Sequence, residues 1–262
     1  MTRYFRLFAV QLRISIATAV AYRANFLVEI VMEVLWTAIT LLPLIVLFDQ
    51  RREVAGWDQP SMLIVLGYFY AVRAVLEGTI SPSLALLVQR IRDGSFDYVL
   101  LKPVDAQVQV STAKYEPARG LELVTAVVLI VYAFIQRGVP PDAADVALGV
   151  VLFATGVMAT YALWIVCAAA AFWVGRLDNL MYLLEAIFDV GRWPVTVFRG
   201  VWRTIFTFVI PIALMTTFPA KALLGSLGAL PALATVGGAL VLLALSRLLW
   251  RTAIRNYTSA SS

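Results

Sequence analysis

Arg73 and Glu77 stand four residues apart inside a mostly apolar run, residues 61–81. On a helix that spacing puts them on one face, one turn apart. Charges inside a bilayer are costly and normally face a partner or a wet cavity. The pair is therefore read in two ways, as mutual neutralisation or as a step on a pathway for charge. Glu29 and Glu33 repeat the spacing in the preceding apolar run, where Arg73 or the N-terminal arginines are the expected partners. Other chemistry is poorly supplied. The chain has no histidine, which removes His-dependent triads, HExxH zinc sites and haem-type ligation, and no metal site is assigned. No GxxxxGK[ST] occurs, so no nucleotide is held through a P-loop.

A second group of polar residues interrupts the apolar pattern at RIRDGSFDYVLLKPVD, residues 90–105. Its centre comprises Gln89, Arg90, Ile91, Arg92, Asp93, Gly94, Ser95, Phe96 and Asp97. Residues 83–94 predict a short amphipathic helix. Ser83 is the expected N-cap, Leu84, Leu87, Val88 and Ile91 form one face, and Gly94 is the stop. Pro103 keeps Lys102 out of any helix. DGSFDYVL has the Asp-Gly start of membrane phosphotransferase motifs, but the further acidic residues at helical spacing do not follow. Two readings stand: an interfacial helix ending in a turn, or a surface through which the membrane part is pushed.

The elements that position these groups are set by composition. The 262 residues are 61% hydrophobic and 14% charged, with a mean hydropathy of +0.86. These values point to an all-α, multi-pass membrane protein. The excess of basic residues follows the ends of the apolar runs, so membrane topology accounts for it and nucleic acid is not expected as a partner. The single cysteine, Cys167, lies in an apolar run and reads as a packing residue.

Six spans of about 20 residues are expected, at 26–48, 61–81, 120–136, 144–174, 195–215 and 231–250. Sixteen Lys and Arg fall on one side of these spans and four on the other, which makes both termini cytoplasmic by the positive-inside rule. The segment at 90–105 then lies in the cytoplasm. Residues 1–24 predict an amphipathic interfacial helix, with Phe5, Phe8, Leu12 and Ile16 on one face and Arg3, Arg6 and Arg13 beside it. The N-terminus lacks the features of a cleaved signal. Pro211 interrupts the fifth span. The stretch after it, with Pro219 and Lys221, is too short to span and too apolar for an exposed loop. It reads as a re-entrant outer segment before the last span.

RIRDGSFDYVLLKPVD after the second span, combined with FVIPIALMTTFPAKALLG (residues 208–225) after the fifth, resembles the permease subunits of ABC-2-type transporters. The likeness is to the small bacterial subfamily without a fused ATPase. The resemblance implies a single six-span domain over residues 25–262 and a coupling helix at 83–94 with its exit at 95–103, within a loop at 82–114. It implies a second cytoplasmic contact at 175–192, a segment that also reads as an early start to the fifth span. It further implies cytoplasmic ABC ATPase subunits that bind ATP and Mg²⁺, a second permease chain, a lipid environment in a bacterial inner membrane, and no catalysis or cofactor on this chain. The function expected is export driven by a separate ATPase. The alternative is a secondary transporter or channel using Arg73 and Glu77, although internal repeats common in such proteins are not visible. A lipid-processing enzyme and a scaffold fit the residues less well.

Overall fold

The computed structural model describes residues 2–21, 23–173 and 178–257. Among these residues the chain is almost wholly helical and no strand forms. Helix α1 (Thr2–Ala21) precedes the long α2 (Arg23–Gln50). Then come α3 (Gln59–Val75), a π-helical turn (Leu76–Ile80) and α4 (Ser81–Arg92). Short helices α5 (Asp97–Leu100) and α6 (Ala106–Ser111) lead to α7 (Gly120–Arg137) and α8 (Ala143–Ala169). The remainder comprises α9 (Asp178–Phe188), α10 (Val201–Thr204), α11 (Phe218–Leu223) and α12 (Ala229–Arg255).

Among the described residues five stretches are long and apolar enough to cross a membrane: Phe26–Gln50, Gln59–Arg92, Pro117–Arg137, Ala143–Phe172 and Ala229–Arg255. Helix α3 is the centre of the fold, buried on all sides through residues 61–72, with α7, α8 and α11 packed around it. A helix apolar all round suits that position. Helix α2 stands at the periphery, with only 11% of its most apolar window buried.

The expected helix at 83–94 does not begin at Ser83. It continues the second span through Leu76–Ile80, and Gln59–Arg92 is one helical run of 34 residues. Pro82 explains the local change of winding. Lacking an N–H, it leaves the Gly78 carbonyl without its usual partner four residues on. The ladder loosens to a π turn in which Ser81 N–H donates to the Leu76 carbonyl. The freed Gly78 carbonyl accepts the Glu116 N–H from a distant loop at 2.8 Å. Ser83, fully buried, also serves that loop, donating through Oγ to the Lys114 carbonyl at 2.9 Å and accepting the Lys114 N–H at 3.0 Å.

The expected fifth span, 195–215, does not cross. Val195 N–H donates to Thr217 Oγ1 at 2.9 Å, so the two ends of that stretch touch. A straight helix between them would hold them about 30 Å apart. The segment turns instead at Pro211, where Val201–Val209 and Ala213–Leu223 meet at a bend of 72°. The fifth crossing must come earlier. Helices α8 and α12 end at one face, where Phe172 and Trp250 pack 5.7 Å apart. Thr196 lies at the opposite face, accepting the Trp57 Nε1–H at 2.8 Å in the α2–α3 connection. The chain between Phe172 and Thr196 covers that distance, and α9 lies within it. Arg199 and Arg203, expected at the basic end, thus follow Thr196 at the opposite end. Val174, Gly175 and Arg176, expected in the fourth span and the second contact, lie outside the described residues. So do the side chains of Arg3, Phe5, Arg6 and Phe8.

The returning arm of this bend runs antiparallel to the first half of α8 and approaches it closely. A Cβ on Gly156 would sit 2.7 Å from the Leu214 carbonyl oxygen and 2.9 Å from Met215 Cα. Helices embedded in lipid gain little from apolar burial against each other, so close backbone approach at small residues matters more. Gly156→Ala therefore loses about 1–3 kcal/mol through overpacking, outweighing the roughly 0.5–1 kcal/mol gained in helix propensity. Gly237→Ala, in α12 with nothing within 4 Å, keeps that gain. Thermal unfolding of both variants in detergent should show opposite signs.

Candidate functional site

Two helix interiors and one helix start bring five charges together. Arg73 Nε donates to Glu77 Oε1 at 2.8 Å, the i,i+4 contact on the second span. The loop held by Gly78 and Ser83 carries Arg119 to the same place. Its guanidinium reaches Glu77 Oε2 at 2.9 Å, Glu122 Oε1 at 2.8 Å and Glu33 Oε2 at 3.6 Å. Arg73 also stands 3.8 Å from Glu122. Three carboxylates thus share two guanidiniums. Glu122 is fully buried, and both its Oε2 and the Oε1 of Glu33 lack a hydrogen-bond partner. Glu33 pairs with Arg119; of its expected partners, Arg73 makes no ion pair with it, and the side chains of Arg3, Arg6 and Arg23 lie outside the described residues. Arg119 and Glu122 were legible by the same signal that marked Arg73 and Glu77, opposite charges one turn apart at the edge of an apolar run.

Beside the cluster lies a cleft of about 700 Å³ between α2, the π turn and α9, lined by Glu29, Glu33, Trp36, Glu77, Glu185 and Asp189 among others. Glu185 accepts from Ser81 Oγ at 3.0 Å. Glu29 and Glu33 face the cleft from successive turns of α2. No local pattern places Glu185 opposite them, because it comes from a segment separated from Ser81 by 104 residues.

Residues 89–97 form the end of the long helical run and the turn after it. Gly94 takes a left-handed conformation (φ 75°). Asp93 Oδ1 accepts the Ser95 N–H at 2.9 Å and the Ser95 hydroxyl at 2.6 Å, and these bonds hold its carboxyl below the usual range. Phe96 is fully buried and anchors the turn edge-on against Phe172 and Tyr257, each 5.3 Å away. Gln89, Arg92, Asp93 and Tyr98 remain on the exposed side.

The segment that follows is tied to the last span by residues the sequence did not connect. Arg247 pairs bidentately with Asp105, one bond being Nη1 to Oδ1 at 3.0 Å. Arg247 also donates to Gln107 Oε1 at 2.6 Å, and Gln107 Nε2 donates to the Tyr161 hydroxyl at 3.0 Å. The Arg247 bond is the main cause that holds the Asp105 carboxyl below its ordinary 3.8. At the other end of the molecule, Pro211 and Pro219 are buried and Lys221 is half-buried. Pro219 follows a π turn (Ala213–Thr217) in which Phe218 N–H donates to the Ala213 carbonyl, the same placement as Pro82 after its own π turn. The three groups of expected site residues therefore occupy three separate places, and only Glu33, Arg73 and Glu77 join one cluster.

The geometry defines a multi-pass helical membrane protein whose conspicuous features are a buried ion cluster and anchored turns rather than a catalytic constellation. A sequence model of the ABC-2 family transporter protein matches residues 34–261, and the chain belongs to that family as a membrane component of an ABC transporter. Neither the curated proteins nor the solved structures contain a match.

Two consequences are measurable. Arg119→Met leaves three carboxylates with one guanidinium, and stability in detergent should fall by about 3 kcal/mol. Adding Glu122→Gln removes the surplus charge and should recover part of that loss. For Asp105, a depressed folded pKa means stability is present above 3.8 and lost as pH falls through the lower folded value. The stability gap between the natural chain and Asp105→Asn should be constant near neutral pH and shrink below 3.8.

Proposed function

We propose that this chain is the permease of an ATP-driven exporter in a bacterial inner membrane, with both termini cytoplasmic. Separate ABC ATPase subunits, which carry the ATP and Mg²⁺, drive it by pressing on residues 89–97. A second permease chain, identical or different, completes the pathway. Residues 1–24 lie in the cytoplasmic headgroup layer, and residues 25–262 form one transmembrane domain with the loop at 82–114 as its input. The retained excess of basic residues at the α4 and α12 ends supports this orientation.

The observation that carries the reading is the unbroken helical run Gln59–Arg92. A push at its Arg92 end travels along a rigid rod into the centre of the bundle. On the way it passes the π turn, a kind of irregularity often found at functional sites. The buried Phe96 fixes the turn to the last span, so that force applied there is not lost in loop motion. The Arg73–Glu77 contact at 2.8 Å supports a structural role for that pair over a charge relay.

Co-expression with a soluble ABC ATPase should give a stable complex. Asp93→Lys combined with Tyr98→Ala should reduce ATPase recovery in pull-down by about tenfold, with the permease still inserted and its unfolding temperature unchanged. Solute flux by the chain alone in proteoliposomes, without any ATPase, would overturn the proposal.

A further inference from the structure

Among the described residues, the cleft beside the ion cluster is lined by more carboxylates than cations. Arg73 and Arg119 are committed to Glu33, Glu77 and Glu122. The neighbouring cations are committed as well, Lys114 to Glu116 at 2.7 Å and Arg192 to Asp189 at 2.9 Å. Among the described residues Glu29 and Glu185 have no Lys or Arg within 4 Å, although both line the cleft. Glu33 lines it too; it is only 7% exposed, and its Oε1 has no hydrogen-bond partner. A buried carboxylate oxygen without a donor is costly at this depth. Such an atom in a ligand-sized space points to a cation that no described residue supplies.

The wall of the cleft narrows the kind of cation. Among the described residues no three acidic groups converge closely enough to hold a metal ion. Trp36, one turn beyond Glu33, is half exposed along the same wall and Met32 lies beside it. An indole face beside carboxylates suits an organic cation, which gains from both ring and charge. Met32, Pro82, Ala85 and Ala186 supply the apolar part of the same lining. The charged space therefore includes a wall fit for the apolar part of the same molecule.

We infer that Glu29, Glu33, Glu185 and Trp36 form a binding site for the positively charged group of a lipophilic organic cation, with its apolar body against Met32, Ala85 and Ala186. This rests on the permease reading and names the substrate class for it.

The test uses the full chain in nanodiscs of zwitterionic lipid, without ATPase, and rhodamine 6G as a fluorescent lipophilic cation. Fluorescence polarisation should show saturable binding. Tetraphenylphosphonium should displace the dye, and the equally shaped anion tetraphenylborate should not. Glu33→Gln should weaken binding by roughly tenfold. Glu29→Gln and Trp36→Ala, at exposed positions that do not threaten folding, should each weaken it by about threefold. Asp142→Asn, which removes one charge at the opposite end, should leave it unchanged. No saturable binding, or equal binding by the natural chain and both glutamate variants, would overturn the inference. Failure of the permease reading is a separate result, since dye would still bind a chain that never associates with an ATPase.

Discussion

The carbonyl of Gly78 is the point at which the second span, the approach to the third span and the ion cluster are joined. Pro82 denies that oxygen its helical partner, and the Glu116 N–H takes its place at 2.8 Å. In a bilayer an unsatisfied carbonyl is expensive, so a single proline both loosens the helix and creates demand for an outside donor. The loop that answers it carries Arg119 three residues further on, and Arg119 joins Glu33, Glu77 and Glu122. Helix α2, otherwise peripheral, is held to the bundle in part through Glu33. Without the bond at Gly78, the cluster loses its hub and α2 an attachment.

The same economy of polar contacts appears at both ends of the molecule. At the basic end, Arg247 and Asp105 tie the segment after the turn to the last span, while Phe96 packs among Phe172 and Tyr257. At the opposite end, Val195 N–H and Thr217 Oγ1 close the re-entrant segment on itself. Trp57 and Thr196 fasten it to the connection between α2 and α3. Apolar contacts fill the space between these points, but helices surrounded by lipid gain little from apolar burial against one another. The sparse hydrogen bonds and ion pairs therefore decide which helix neighbours which.

Membership in the ABC-2 family gives this arrangement a direction of reasoning. In the proposed reading, work is received at a surface and delivered to a pathway. The Gln59–Arg92 run connects an anchored turn to a cleft whose carboxylates, among the described residues, outnumber their cations. In the proposed reading these are input and cargo site, linked by one rod interrupted only by the π turn beside Glu77.

Composition and hydropathy alone were enough to establish an all-helical membrane protein, because a bilayer demands long apolar helices whatever their neighbours. The i,i+4 charges at Arg73 and Glu77 were equally legible, being local on one helix. Where a proline breaks a helix and where it is absorbed was not legible. Pro82 and Pro211 look alike in sequence, yet a distant N–H rescues the first, while at the second the chain bends by 72°. For that reason the span expected at 195–215 is a bent segment whose two ends meet. The pairing of Arg247 with Asp105 across 142 residues, and of Glu185 with Ser81, likewise required the folded chain. Local spacing specifies what a helix can offer; only the packed bundle determines which distant atom accepts it.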